Sequence, residues 1–529
     1  MTDTDPDFII VGAGAAGCTL AREILVRGLG SVLLLESGSV PRSSRLRVPS
    51  DYLLAFGSPW DWGYLTAPQL KLGQRAIRLP AGHALGGSTS INAMIWIEPA
   101  PCDLEVWHRE LGPAWSPQSI ERAFQPVRTW LADSQLPTLP PLHPRMQRIL
   151  DQSVEWGWNA DCFPSGFQQP RGGIGAYRRM QHRGRRVSLW RLLEWEERKQ
   201  RAVGRSLLTI LPNTRALRLC FDGDRVVGVR LGSIAGQGPE LRARRGVILC
   251  GGAIETPRLL MASGLGPREM LERSGIACRV DLPQLGSNLQ DHLVFPIVYQ
   301  SESLLATPER RRADRWQYAT HRSGPRASNL AELGGFFVRS PTNLWDNPPN
   351  GFDFQVHITP THYLEPTPFA GHGDHVSFAV TPLRARSRGN LALAQARGGW
   401  DPETAPPLVI DPHYLAEECD RRDYLAAIEE VRNLIERSPW SSWIGREVFP
   451  KGRGNHRLGT YLERFASTIY HYAGTCAMGK SSTSCLNESM EVHGVDHLWV
   501  CDASAMPHLV GCNPQASVAM MAVRLADWL

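Results

Sequence analysis

Between Phe8 and Glu36 the chain carries a pattern that few folds satisfy. An apolar run, Phe8-Ile9-Ile10-Val11, leads into Gly12-Ala13-Gly14-Ala15-Ala16-Gly17. A helical stretch over Ala15–Arg27 follows, closed by Gly28, and a second apolar run, Val32–Leu35, ends in Glu36. This is strand, glycine turn, helix and strand in the order of a βαβ unit that cradles a dinucleotide. Gly12 permits the tight turn, Gly14 lets backbone N–H groups approach a pyrophosphate, and Gly17 lets the helix lie close on the strand. Ala15 and Ala16 begin the helix, whose N-terminus carries partial positive charge toward the phosphates. Glu36 stands where a carboxylate accepts hydrogen bonds from a ribose diol.

At 529 residues the chain has room for two or three intertwined domains. Apolar content of 42% with 21% charged residues describes a soluble globular protein. A net charge of +5 gives no reason to expect nucleic acid as a partner. The arginines between Tyr177 and Arg205, and at Arg310-Arg311-Arg312, read as solvated faces and loops. Eleven cysteines form no CxxC pair and no Cys/His cluster with metal spacing, so no metal is expected. Cys18, Cys250 and Cys501 lie in apolar runs where a reduced thiol acts as a small apolar side chain. The acidic N-terminus passes straight into the first strand, leaving no room for a signal peptide, and no apolar run spans a bilayer. A cytoplasmic location is expected.

Nucleotide-binding character recurs twice more. The strand Val247–Cys250 enters Gly251-Gly252, after which Thr256 reads as a helix N-cap, Pro257 as the first helical residue and Gly264 as the stop. The strand Leu498–Cys501 is followed by Asp502, a loop, and an apolar helix from about Pro514 to Leu529. Proline- and tryptophan-rich stretches lie between, with a surface helix over Tyr424–Arg437. The expected organisation alternates: nucleotide-binding segments 1–130, 206–294 and 468–529, with substrate-domain segments 131–205 and 295–467 inserted between them.

Four further motifs join the N-terminal one: Ala84-Leu85-Gly86-Gly87-Ser88-Thr89-Ser90-Ile91-Asn92; Gly252–Gly266; Tyr470-His471-Tyr472-Ala473-Gly474-Thr475-Cys476-Ala477-Met478-Gly479; and Asp502–Asn513 before the last helix. Lesser echoes are Trp60-Asp61-Trp62, Arg186-Val187-Ser188, Leu285-Gly286-Ser287-Asn288-Leu289-Gln290-Asp291-His292 and Ser387-Arg388-Gly389. Together they resemble the glucose–methanol–choline (GMC) family of FAD-dependent alcohol oxidoreductases from about residue 6 onward, with a choline dehydrogenase-like cast. The resemblance implies an α/β fold: a Rossmann-like FAD-binding domain assembled from three chain segments, with an inserted α+β substrate domain on an antiparallel sheet. There are departures. Gly82-His83 and Ile97-Glu98-Pro99 differ from the usual pattern. Ile91 occupies the place where some members bond FAD covalently through a histidine, so non-covalent FAD is expected.

Alcohol oxidation by a flavin requires removal of the hydroxyl proton and a path for hydride from the α-carbon to flavin N5. An imidazole suits the first task, and a second polar side chain on the same oxygen stabilises the developing alkoxide. The resemblance assigns the base to His471 and its partner to Asn513. It assigns flavin contacts to Gly12, Gly14, Ala15, Ala16, Gly17, Glu36, Gly86, Gly87, Ser88, Asn92, Ala216, Gly252, Asp502, Ala503, Pro514 and Gln515. His83 and His292 read as structural. Glu332, in the apolar stretch Leu330–Phe337, is either paired or turned to a cavity where it receives a cationic substrate group. Trp96, Phe369 and Tyr472 are candidate pocket walls. The expected reaction turns a primary alcohol into an aldehyde, on a polar or amino alcohol or an amino sugar first, and on an aryl or aliphatic alcohol second. Dioxygen and a quinone-type carrier are both open as electron acceptor. A hydroxynitrile lyase with non-redox FAD is the alternative of another class, against which Asn513 argues.

Overall fold

A computed structural model describes residues 5–156, 173–204, 207–232, 238–301, 308–338, 352–363, 375–394, 404–450, 452 and 454–529. Phe369 lies outside the described residues.

Phe8–Val11 forms the middle strand of a five-stranded parallel sheet. In spatial order the strands are Leu498–Val500, Gly246–Leu249, Phe8–Val11, Val32–Leu35 and Leu208–Leu211. Ile9 lies opposite Val247 on one side and Leu33 on the other. Such strands are covered on both faces, hence their continuous apolar runs. Helix Ala15–Arg27 covers one face and packs against helices Gln515–Ala526 and Leu189–Ala202. The last of these, drawn from the stretch expected in the substrate domain, therefore lies with the nucleotide sheet.

A second, antiparallel sheet runs Ile444–Phe449, Leu293–Ser301, His375–Pro382, Phe354–Thr359, Leu333–Phe337 and Gly173–Ala176. The two-residue strand Ser467–Thr468 pairs with the start of Leu293–Ser301. Helix Glu418–Arg437 packs across this sheet through Tyr424, Ile428, Val431 and Ile435, an i, i+4, i+7, i+11 stripe. It begins six residues before the expected Tyr424, with Glu418 and Asp420 complementing the positive end of the helix.

The helix after Gly251 differs from its sequence reading. It starts at Gly252 and runs to Ala262, so Thr256 and Pro257 lie inside it. Thr256 does not cap the helix; its hydroxyl accepts the Gly251 N–H at 3.0 Å and donates to Asp502 at 2.6 Å. Pro257 has no N–H to offer the carbonyl four residues back. That carbonyl, Ala253 O, instead accepts the Thr475 hydroxyl at 2.7 Å. The helix break is a tie to the loop that follows His471. Among the described residues no helix is long and apolar enough to cross a membrane.

Candidate active site

One continuous cavity runs from the carboxyl ends of the parallel strands to the antiparallel sheet. Its nucleotide end is built by the glycine turn. Gly12, at φ +107°, has no room for a side chain, since a Cβ would sit 2.4 Å from Cys250 O. Gly17 is equally closed, with a Cβ 1.9 Å from Gly12 O. Gly14 is the opposite: a Cβ there would meet nothing within 4 Å, because the space above it is the cavity. Gly14 is also the N-cap of helix Ala15–Arg27 and supplies no capping side chain, so the helix's positive end opens into the same space. A cradle that only an inserted group fills, at a bare helix N-terminus, fits a pyrophosphate.

Of the residues singled out from sequence, Gly12, Gly14, Ala15, Ala16, Glu36 and Ala216 line this end. Gly87, Ser88, Asn92, Gly252, Asp502, Ala503, Pro514 and Gln515 line the middle, and His471, Tyr472 and Asn513 the far end. Gly17 and Gly86 are not in the wall. Gly17 sets the helix on the strand, and Gly86, at φ +95°, turns the chain so that its N–H reaches Ala13 O at 2.7 Å.

The carboxylates of the wall are already engaged. Glu36 accepts the Ala13 N–H at 3.0 Å and the Gly38 N–H at 2.8 Å, and burial lifts its pKa to about 7. Asp502 accepts the Gly252 N–H at 2.8 Å, the Ser504 N–H at 2.8 Å and the Thr256 hydroxyl, and burial raises its pKa as well. Glu255 binds Arg215 at 2.9 Å, Arg258 at 2.8 Å and the Tyr64 hydroxyl at 2.5 Å. Asn92 donates to Gln515 at 2.6 Å and accepts from Arg186 at 2.9 Å, joining the Gly86-Gly87 turn to the last helix.

At the far end Asn513 Nδ2 stands 3.1 Å from His471 Nε2. The side chain of Asn513 does not cap the following helix, whose N-cap position falls on Pro514. Its Oδ1 accepts from Gln355 at 3.5 Å, and Gln355 also donates to the Tyr177 hydroxyl at 3.0 Å. His471 Nδ1 meets His292 Nδ1 at 2.9 Å. Burial holds His471 well below the ordinary imidazole pKa, and the neighbouring His292 and His357 add to the effect.

Three residues at this end escaped the sequence reading. His292, read as structural, touches His471 directly. His357 lines the cavity, is buried, and has no hydrogen-bond partner on either ring nitrogen among the described residues; burial pushes its pKa down to about 4. Gln355 orients Asn513. The only sequence signal for the latter two is a polar pair, Gln355 and His357, alternating with Phe354, Val356 and Ile358 on a buried strand.

Of the two readings of Glu332 the paired one holds and the substrate-binding one is corrected, as is Trp96 as a pocket wall. The Glu332 carboxylate is not in the cavity wall; it faces Arg179 at 3.4 Å and accepts the His143 N–H at 2.5 Å. Both partners of that ion pair are buried, and the pairing offsets only part of the desolvation, which leaves the pKa of the Glu332 carboxyl raised and that of the Arg179 guanidinium lowered. Trp96 is likewise outside the wall, packed in the main core.

A parallel-sheet cradle for a dinucleotide, leading to a buried histidine–amide pair, is the arrangement of a dinucleotide-dependent oxidoreductase. Comparison with known proteins makes the class specific. Family models of GMC oxidoreductases match residues 6–294 and 385–522, and the chain belongs to that family. It is an FAD-dependent oxidoreductase of the kind that acts on alcohol donors. It is 32% identical over 544 residues to an uncharacterized GMC-type oxidoreductase of Mycobacterium tuberculosis, covering 99% of each chain. It is 31% identical to an alcohol dehydrogenase (acceptor) of Pseudomonas putida, covering 98% of this chain and 95% of that one. The crystal structure of pyridoxine 4-oxidase from Mesorbium loti superimposes with a TM-score of 0.85 at 26% identity, covering 99% of this chain and 98% of the other.

Proposed function

We propose that this enzyme oxidises a neutral primary alcohol to an aldehyde, with His471 as the base and Asn513 as the second ligand of the hydroxyl oxygen. The observation that carries the reading is the 3.1 Å approach of Asn513 Nδ2 to His471 Nε2 at the cavity wall. A hydroxyl oxygen entering there meets a lone pair that takes its proton and an N–H that holds the resulting alkoxide. FAD, when bound, supplies the acceptor for the hydride that leaves the α-carbon. The glycine cradle, Glu36 and the Gly86–Asn92 turn hold it, without a covalent bond, since Ile91 offers no nucleophile.

His471 starts the reaction neutral, because burial and two neighbouring imidazoles oppose its protonation. The base is therefore available at neutral pH without prior deprotonation. Asn513 is fixed by Gln355, so the oxygen site is organised before substrate arrives.

The substrate class follows from the walls around the pair. Val294, Ala331, Ala379 and Ile469 are apolar, and Tyr470 and Tyr472 add aromatic surface. The expectation of an amino alcohol leaned on Glu332, whose charge is committed to Arg179. Among the described residues of the wall, the carboxylates of Glu36, Glu255 and Asp502 are all engaged by N–H, hydroxyl or guanidinium groups. A neutral alcohol with an apolar or aromatic body fits this end better than a cation. Pyridoxine, named for the pyridoxine 4-oxidase relative, is an aromatic alcohol of this kind.

The test is the visible spectrum of the anaerobic holoenzyme, before and after addition of pyridoxine, benzyl alcohol, 1-octanol, choline and an amino sugar. Bleaching by the neutral aromatic or aliphatic members supports the reading, and bleaching by choline alone overturns the substrate class. His471→Ala should keep its FAD and be reduced about 10²–10⁴-fold more slowly. Equal reduction rates would remove His471 from the mechanism. Acid precipitation should leave the yellow colour in the supernatant; colour in the pellet would refute non-covalent binding.

A further inference from the structure

A second, smaller cleft lies behind the base. Its wall includes His292, Asp291, Gln290, Arg384, Arg388 and His508. His471 lines the main cavity and not this cleft, whereas His292 lines the cleft and not the main cavity. The two rings, in contact at 2.9 Å, are thus the partition between two separate spaces. The cleft reaches the surface at His508, which is 40% exposed and sits 2.6 Å from the equally exposed Glu110.

Hydrogen bonding fixes where the protons reside. Gln355 donates to Asn513 Oδ1, which turns Asn513 Nδ2 toward His471 Nε2. His471 Nε2 is therefore an acceptor, and its proton is on Nδ1. That N–H meets His292 Nδ1, which must then be the lone-pair nitrogen, leaving the proton of His292 on Nε2. His292 Nε2 is buried and, among the described residues, makes no close side-chain hydrogen bond. The Leu383 carbonyl, another part of the cleft wall, favours a proton on that ring. The rings make an ordered chain with its lone pair at the substrate end and its outer N–H beside the Leu383 carbonyl of the cleft wall.

We propose that His292 is a proton relay that carries the proton taken from the alcohol out of the active site, away from the substrate side, into this cleft. The inference rests on His471 being the base. The alcohol O–H bond breaks and an N–H bond forms at His471 Nε2. The Nδ1 proton of His471 crosses to His292 Nδ1, and the Nε2 proton of His292 leaves to water in the cleft. Both rings end neutral with their tautomers exchanged, while the hydride and its electron pair leave the α-carbon for the bound FAD. When an electron acceptor later draws the electrons off together with a proton, the same chain run backward restores the starting tautomers.

The surroundings suit transit and not storage. Burial, and then the positive charge of Arg384, press the pKa of His292 down to about 3. His357 and His471 face the ring from the cavity side and Arg384 from the cleft side, while Asp291, next in the chain, binds its backbone N–H at 2.8 Å. Without an exit, the proton would remain on His471 as a buried imidazolium among these groups.

Stopped-flow reduction of the anaerobic holoenzyme in weak buffer with phenol red tests this, using whichever of pyridoxine, benzyl alcohol or 1-octanol bleaches it fastest. The wild type should release one proton per flavin reduced, at the rate of reduction. His292→Gln keeps a carbonyl that accepts the Nδ1–H of His471 but cannot pass a proton on, so it separates relay from positioning. Reduction in His292→Gln should slow by about tenfold or more, with proton release lagging behind it. Wild-type rates of both in His292→Gln overturn the relay and leave the base untouched. Wild-type reduction in His471→Ala overturns the base itself. A measurement independent of turnover uses holoenzyme labelled with ¹⁵N-histidine: long-range ¹H–¹⁵N spectra should give the Nδ1–H tautomer for His471 and the Nε2–H tautomer for His292. The reverse pair overturns the proposal even if His292→Gln does not fold.

Discussion

Asp291 Oδ1 accepts the backbone N–H of His471 at 2.9 Å across 180 residues of sequence, and the same oxygen accepts the N–H of His292 at 2.8 Å. One carboxylate therefore sets the main-chain positions of both imidazoles, while its second oxygen takes the Tyr414 hydroxyl at 2.5 Å. The pairing of Leu293 with Thr468 and of Val294 with Ser467 brings the two loops into range, and Asp291 fixes the final offset.

Asp291→Ala strands two buried N–H groups, each costing about 1–3 kcal/mol. A lower melting temperature and slower flavin reduction are expected together. Asp291→Asn retains an oxygen for both N–H groups and an amide for Tyr414, so it should stay near wild type in both. Thermal denaturation and anaerobic stopped-flow on the two variants check the contrast.

The depressed pKa of His471 sets the pH profile. A base held neutral loses function only when it is protonated, which happens below its own pKa and so well below the ordinary value of 6.5. The rate constant for flavin reduction should be flat from about pH 6.5 to about pH 9. An inflection at neutral pH in that rate constant would contradict the assignment.

Gly14 and Gly17 should respond to the same substitution in opposite ways. Gly14 has an extended backbone, at φ −78° and ψ −160°, that alanine adopts freely, and its Cβ would enter open cavity. Gly14→Ala should leave the apoprotein's melting temperature unchanged but weaken FAD binding. Gly17→Ala drives a Cβ to 1.9 Å from Gly12 O, and overpacking of this kind costs about 1–3 kcal/mol or more. It should destabilise apoprotein and holoenzyme alike. FAD content and calorimetry of each form distinguish the two.

His357 is a buried ring with no hydrogen-bond partner among the described residues, a condition that is unfavourable until something in the cavity binds it. His357→Leu removes an unsatisfied polar group of similar size, so the melting temperature should rise. The KM for the alcohol should rise by about tenfold, with kcat changed less. A falling melting temperature with unchanged KM would assign the ring to packing.

What was legible in the sequence was what is local. Strand, turn, helix and acid between Phe8 and Glu36 are contiguous, and the structure has the expected bounds at Phe8–Val11, Ala15–Arg27 and Val32–Leu35. Contacts between distant segments were not legible. Glu332 has its charge answered by Arg179, 153 residues away, and nothing near it in the chain announces that partner. His292 meets His471 across 179 residues. Thr256-Pro257 carries a sound local signature for a helix start. It was overridden because Asp502 holds the Gly252 N–H and the Thr256 hydroxyl together, extending the helix five residues toward its N-terminus.

The strand order of the parallel sheet bears on how the chain reaches its working form. Gly246–Leu249 is buried throughout, and one of its two neighbours is Leu498–Val500, about 250 residues further along. Until that late strand docks, the sheet has an open apolar edge of the kind that pairs with other chains. Asn513 follows Leu498–Val500 within a short loop and helix turn, so the strand that covers Gly246–Leu249 and becomes the outer strand also delivers the neighbour of His471. Covering of Gly246–Leu249 and the His471–Asn513 contact thus depend on one C-terminal segment, and a chain cut short of Leu498 would lack both, so it should be inactive and prone to aggregate.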